Sequence, residues 1–236
     1  MVDWGRIDLV VFDVDGTLYA QQRLRRAMLL QLLADAVRCR SLRTLRLLRT
    51  FRHVREALGD EEATEFLALQ YQRTGERLGC EPAHVRAVTE DWMERRPLPL
   101  LAACRYAHVD RLFAGLRLSG KRIAIFSDHP ARAKVEALGL HADIVVSATD
   151  ADVARLKPDP AGLHKVLAEA GVPATRALMV GDRMDRDAAA AHRAGMLALI
   201  RSRKPLAGVQ TFRRYDDPVF QPVLAPAPAF APQVAR

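Results

Sequence analysis

Two carboxylates one residue apart, Asp13 and Asp15, follow the apolar run Leu9-Val10-Val11-Phe12 and precede Gly16. That run has the pattern of a strand buried on both faces of a parallel sheet. Acids just past the carboxyl end of such a strand stand where open α/β sheets bind their ligands. Carboxylates this close repel each other unless a cation lies between them or one holds a proton. The cation reading favours a hard, oxygen-loving metal such as Mg²⁺. Gly16 lets the backbone turn sharply away, leaving both carboxylates free to face a substrate. The plainer reading is a strand followed by an Asp-Gly turn, and the rest of the chain must choose between the two.

Other segments bring polar residues to the same kind of position. The run 121–127 reads as a second buried strand that ends in Ser127, Asp128 and His129, and Pro130 then opens a helix closing near Leu138-Gly139. Residues 143–147 read as a third strand. The loop 148–160 carries Lys157-Pro158, with Pro158 read as the first residue of a helix over 158–170. Residues 177–181 form a fourth strand leading to Asp182, Asp185 and Asp187. An alanine-rich helix follows to Gly195, and 197–200 give a fifth strand. Strands alternating with helices predict an α/β fold with a doubly wound parallel sheet and right-handed crossovers. Asp13, Asp15, Ser127, Lys157, Asp182 and Asp187 would then meet at one sheet edge, where buried charges must be paired or bound to metal.

Between the first two strands the pattern turns helical. Helices are expected near 22–38, 41–58, 61–78 and 83–95, with Gly59-Asp60 separating the second from the third and Gly79 ending the third. Arg96-Pro97-Leu98-Pro99 reads as a rigid linker. The segment 21–97 is thus an all-helical insertion of roughly 75 residues, large enough for a small second core. On the 41–58 helix, Leu47, Phe51, Val54 and Leu58 share a face, with Arg46, Arg49 and much of Arg52 opposite. That arginine face is either simply solvated or a basic surface for an anionic lipid or polyanionic substrate. Residues 1–20 with 98–202 make the core, and 203–236 form a Pro-rich tail expected to be extended, either disordered or laid along a surface with Phe220 and Phe230 as candidate anchors.

The formal charge of +8 admits anionic partners, yet no zinc finger or RNA-binding aromatic motif accompanies it, so nucleic acid is not expected. Three cysteines, Cys39, Cys80 and Cys104, lack metal-ligand spacing and fit a reducing compartment. No apolar run reaches spanning length and no signal-peptide pattern opens the chain, so a cytoplasmic location is expected.

Taken in order and spacing, Asp13-Val14-Asp15-Gly16-Thr17, Ser127, Lys157-Pro158 and Gly181-Asp182 through Asp187 resemble the four motifs of the haloacid dehalogenase-like hydrolase superfamily. The resemblance spans roughly residues 7–200, and the helical insertion is similar to that superfamily's C1-type cap. It implies a Rossmann-like core with a mobile cap and Mg²⁺-dependent phosphatase activity on a small phosphorylated metabolite. Asp13 would be the nucleophile that forms an aspartyl-phosphate, and Asp15 the general acid and base. Ser127 and Lys157 would bind phosphate oxygens. Mg²⁺ would be held by Asp13, the backbone carbonyl of Asp15, Asp182 and, through water, Asp187. A phosphomutase or a dehalogenase of the same superfamily is the alternative, as is a non-catalytic module that binds through its basic cap and Pro-rich tail. Position 128 departs from the family pattern, with Asp in place of the frequent Asn. Its carboxylate is expected to face away from phosphate or to bind a backbone amide. Asp185 ranks behind Asp182 and Asp187, and His129 reads as a surface or capping residue.

Overall fold

The computed structural model describes residues 2–224. Six parallel strands form one sheet in the order β3-β2-β1-β4-β5-β6. They are β1 (Leu9–Phe12), β2 (Arg122–Ser127), β3 (Ile144–Ser147), β4 (Ala177–Gly181), β5 (Leu197–Arg201) and β6 (Gln210–Phe212). All four residues of β1 are buried. Val10 and Phe12 pack into a cluster on one side of the sheet, while Leu9 and Val11 pack into another on the opposite side. This is why the strand reads as a continuous apolar run rather than an alternation. β1 lies between β2 and β4, with Phe12 level with Ile125 on one side and Val180 on the other. The chain winds from β1 out to β3, then returns to the other side of β1 through β4. The crevice at that switch of direction lies at the carboxyl ends of β1 and β4.

Four helices stand between β1 and the rest of the core: α1 (Gln21–Cys39), α2 (Arg43–Asp60), α3 (Phe66–Leu78) and α4 (Pro82–Thr89). α4 widens into a π-type turn over Glu90–Arg95. The core helices are α5 (Leu98–Cys104), α6 (Val109–Leu118), α7 (Arg132–Ala137), α8 (Ala161–Ala170) and α9 (Ala189–Arg193). The insertion has no hydrophobic core apart from the sheet. Phe51 and Val85 join the cluster on one sheet face, whereas Val54, Leu58 and Phe66 join the cluster on the other.

Several local expectations are corrected. α2 runs through Gly59-Asp60 rather than ending before it. Gly59 is there for contact, since a Cβ at this position would lie 2.5 Å from the Arg186 guanidinium. Pro97 and Pro99 open α5 instead of forming a linker, as suits a first turn whose N–H groups have no helical acceptor. Pro158 stays in a loop, after a cis Lys157-Pro158 bond, and α8 starts at Ala161, whose N–H donates to Asp159 Oδ1 at 2.8 Å.

Contrary to the expectation of an extended tail from 203, this stretch carries β6, paired parallel to β5, and a 3₁₀ turn over Pro218–Val223. Phe212, Tyr215, Phe220 and Val223 are all buried in the sheet-face cluster. Phe212 and Phe220 meet edge to face with ring centroids 4.9 Å apart. Phe230 and the prolines beyond Pro222 lie outside the described residues. We expect Phe220→Ala to lower the free energy of unfolding by about 3–5 kcal/mol in urea denaturation. A loss below about 1 kcal/mol would exclude this segment from the cooperative core.

Candidate active site

Asp13 is fixed by the sheet itself. Its N–H donates to the Val180 carbonyl at 2.9 Å, extending the β1–β4 pairing by one residue, and Thr17 Oγ1 donates to its Oδ2 at 2.9 Å. Gly16 then turns with φ +93°, pressed so closely on Asp182 that a Cβ would sit 2.2 Å from Asp182 Oδ2. Only glycine satisfies both the backbone angle and the contact. The other oxygen of Asp13 accepts from Lys157 Nζ at 2.7 Å, and the same ammonium donates to Asp187 Oδ1 at 2.7 Å. Lys157 is 2% exposed, so these carboxylates replace its water. Asp187 Oδ2 accepts from the Asp182 and Arg183 N–H groups, both at 3.0 Å, which shapes the loop that presents Asp182.

Carboxylate oxygens of Asp13, Asp182 and Asp187 lie within 4.8 Å of one another. Burial raises the Asp13 pKa well above the usual carboxylate value, and the Asp187 and Asp182 charges add to it against the pull of Lys157. Burial, with Asp187 beside it, pushes Asp182 up to about 6. Lys157 is disfavoured as a cation by burial, but Asp13, Asp187 and Asp128 outweigh this and raise its pKa well above the ordinary lysine value. Three carboxylates face one ammonium, so the ionised cluster lacks two positive charges. A divalent cation would supply that charge, and an all-oxygen set is of the kind hard cations take.

Asp15 takes part in a second ion pair. Lys134 Nζ, from α7, reaches both of its oxygens at 2.8 and 2.6 Å, and the Tyr19 hydroxyl donates to Oδ1. Burial alone would raise the Asp15 pKa, but Lys134 and the Tyr19 hydrogen bond carry it well below the carboxylate range. Ser127 ends β2 in the same cavity, its Oγ accepting from the His129 N–H at 3.2 Å. Asp128 turns its Oδ1 onto the Lys157 backbone N–H at 2.9 Å, the amide contact anticipated for it. His129 lines the cavity and is half-buried. Burial, with Arg55 and Lys134 nearby, holds its pKa well below the usual imidazole value.

All six residues singled out in the sequence border one cavity of about 530 Å³ between the helical insertion and the sheet edge. Four more escaped notice: Lys134, Tyr19, Arg55 and Arg186. Arg55 is 8% exposed, donates to the Asp128 carbonyl and to Gln70, and stacks its guanidinium 5.1 Å from the Phe66 ring centroid. Arg186 donates to the Lys157 carbonyl at 2.8 Å and the Glu56 carbonyl at 3.1 Å, and pairs with Asp60. Each arginine thus ties α2 to a loop that carries site residues. The sequence held a signal for Arg55, which sits four residues after Phe51, inside the buried arc of the α2 wheel. Arg52, expected opposite that arc, lines the cavity too, while Arg46 and Arg49 are exposed.

Comparisons with known proteins agree with this geometry. A phosphoglycolate phosphatase from Rhodospirillum rubrum is 37% identical over 129 residues, which cover 51% of this chain and 53% of that protein. The match therefore spans only about half of the relative's length. Among solved structures, a 2-haloacid dehalogenase from Pseudomonas syringae pv. Tomato DC3000 superposes with a TM-score of 0.62 at 21% identity, covering 88% of this chain and 94% of that one. CbbY from Rhodobacter sphaeroides, in complex with phosphate, gives 0.57 at 21% identity over 89% and 96% of the two chains. These likenesses establish the shared fold. The family model for haloacid dehalogenase-like hydrolases matches residues 7–195, and the chain belongs to that family.

Proposed function

We propose that this chain is a phosphatase that hydrolyses a phosphomonoester through an aspartyl-phosphate at Asp13. The observation that carries this reading is the buried Asp13–Lys157–Asp187 cluster with Asp182 beside it, open to a cavity that also holds Ser127 and Asp15. Mg²⁺ would be held by Asp13, Asp182, the main chain of Asp15 and, less directly, Asp187. When bound, it supplies positive charge against the oxygens of the transferring phosphoryl group.

In the first half-reaction an Asp13 oxygen forms a bond to phosphorus while the bond from phosphorus to the leaving oxygen breaks. That oxygen must gain a proton, which Asp15 would deliver after exchanging its Lys134 contact for one. Ser127 Oγ and Lys157 Nζ donate to the non-bridging oxygens. In the second half, water attacks the same phosphorus, the Asp13–phosphorus bond breaks, and the water proton passes to Asp15. The ionised state that Lys134 enforces on Asp15 suits this base role. A departing halide needs no proton, so the acid–base arrangement around Asp15 favours a phosphate ester over a haloacid. The R. rubrum relative supports a small phosphorylated metabolite as substrate. The three free thiols fit a cytoplasmic setting.

Asp13→Asn should abolish turnover of an aryl phosphate while circular dichroism stays unchanged. Retention of more than a few per cent of activity would remove Asp13 as nucleophile. Asp15→Asn should slow alkyl phosphates more than aryl ones, whose leaving groups need little protonation. Equal losses on both would contradict the acid role.

The Asp182 shift has a stability consequence with a definite sign. Its folded pKa of about 6 exceeds the unfolded value of 3.8, so between these the native state holds more protons. Metal-free protein should therefore lose stability through this group as pH rises from about 4 to about 6. Asp182→Asn should flatten that slope, and at pH 7 it should reduce the rise in Tm that Mg²⁺ produces. A Tm indifferent to Mg²⁺ in the wild type would refute the metal assignment.

A further inference from the structure

The insertion presents a surface that hydrolysis does not require. Of the seven large hydrophobic residues exposed among the described residues, five fall within 29–42: Leu29, Leu30, Leu33, Val37 and Leu42. Leu24 and Met28 of α1 turn inward to the core cluster, so Leu30, Leu33 and Val37 form a separate outward stripe on the same helix. The stripe sits among arginines. Residues 21–49 contain eight arginines and a single carboxylate, Asp35, which leaves seven of the chain's eight net positive charges in this stretch. All eight arginines are exposed, and only Arg38 finds a carboxylate, Asp35 at 2.8 Å, among the described residues. A shallow groove between α1 and α2 has a floor of Leu32, Leu45 and Leu48 and a rim of Arg49 and Arg52. The groove residues Leu32, Leu45, Leu48 and Arg52 also line the catalytic cavity.

Exposed leucines ringed by unpaired arginines match an anionic bilayer, whose headgroups meet the charge while the acyl boundary covers the leucines. A second copy of the chain would bring like charges together across the leucines. A nucleic acid would satisfy the arginines but leave the leucines wet, and residues 21–49 contain no aromatic side chain for base stacking. We propose that α1 and the start of α2 form a docking surface for an anionic lipid membrane, with Leu30, Leu33 and Val37 entering the interface. The mouth of the catalytic cavity would then open beside the bilayer, since exposed Leu29, next to the stripe, also lines the cavity. The docking surface rests on none of the catalytic assignments.

The test is co-sedimentation of the full chain with phosphatidylcholine vesicles, with and without phosphatidylglycerol. Binding should require phosphatidylglycerol and should vanish near 1 M salt, where the Debye length is about 3 Å. Arg23→Gln, Arg26→Gln and Arg43→Gln should each weaken partitioning about fivefold, and roughly a hundredfold together. Leu30→Gln with Leu33→Gln and Val37→Gln should abolish binding at unchanged Tm and circular dichroism, since all three side chains are exposed. Failure of the wild type to bind, equal binding to neutral vesicles, or indifference to either set of substitutions would overturn the proposal. So would a stable dimer in light scattering that the three glutamines dissociate, because the stripe would then be covered by a second copy.

Discussion

The ammonium of Lys157 is the charge on which the site depends. It lies out of water between Asp13, beyond β1, and Asp187, beyond β4, so the ends of two strands meet on one side chain. A buried ion pair does little for net stability, but removing one member leaves its partner uncompensated at a cost of about 3–5 kcal/mol. The lysine is itself held by its backbone. Its N–H donates to Asp128, beyond β2, and its carbonyl accepts from Arg186. Three loops of the sheet edge are thereby locked around a single residue, and the cis peptide that follows belongs to the same fixed turn.

Arg55 and Arg186 make the helical insertion part of this arrangement. Both are nearly fully buried, and both end on backbone carbonyls of the site loops. Because α2 sends Phe51 to one sheet-face cluster and Val54 and Leu58 to the other, it is anchored across both layers of the molecule. Among the described residues the buried Arg55 Nε has no hydrogen-bond partner, although the residue lines the cavity. The same two side chains thus join the insertion to the loops that carry the site acids.

The strands and the acids beyond them were legible because both obey short-range rules. A strand buried on two faces must be apolar throughout, and a carboxylate placed directly after it has one edge to face. Lys134 and Arg186 were not legible, because their partners lie far away in sequence, and Arg55 showed only in its place on the buried arc of α2. Lys134 and Asp15 are separated by 119 positions. Proline misled in both directions. Pro97 and Pro99 suggested a linker but start α5, and Pro158 suggested a helix start but stays in the loop that aims Lys157. The prolines after 217 concealed Val223 and the 3₁₀ turn that buries it with Phe220, since proline spacing argues against helix and strand but says nothing about burial in such a turn.

One long-range contact bears on how the protein is made. The Tyr215 hydroxyl, fully buried, donates to the Thr17 carbonyl at 2.7 Å, bracing the turn that also orients Asp13 through Thr17 Oγ1. The two partners are 198 positions apart. The loop that carries Asp13 follows β1, yet its brace is synthesised after all of β1 to β6. A nascent chain therefore lacks this brace on the Asp13 turn until residue 215 has cleared the exit tunnel.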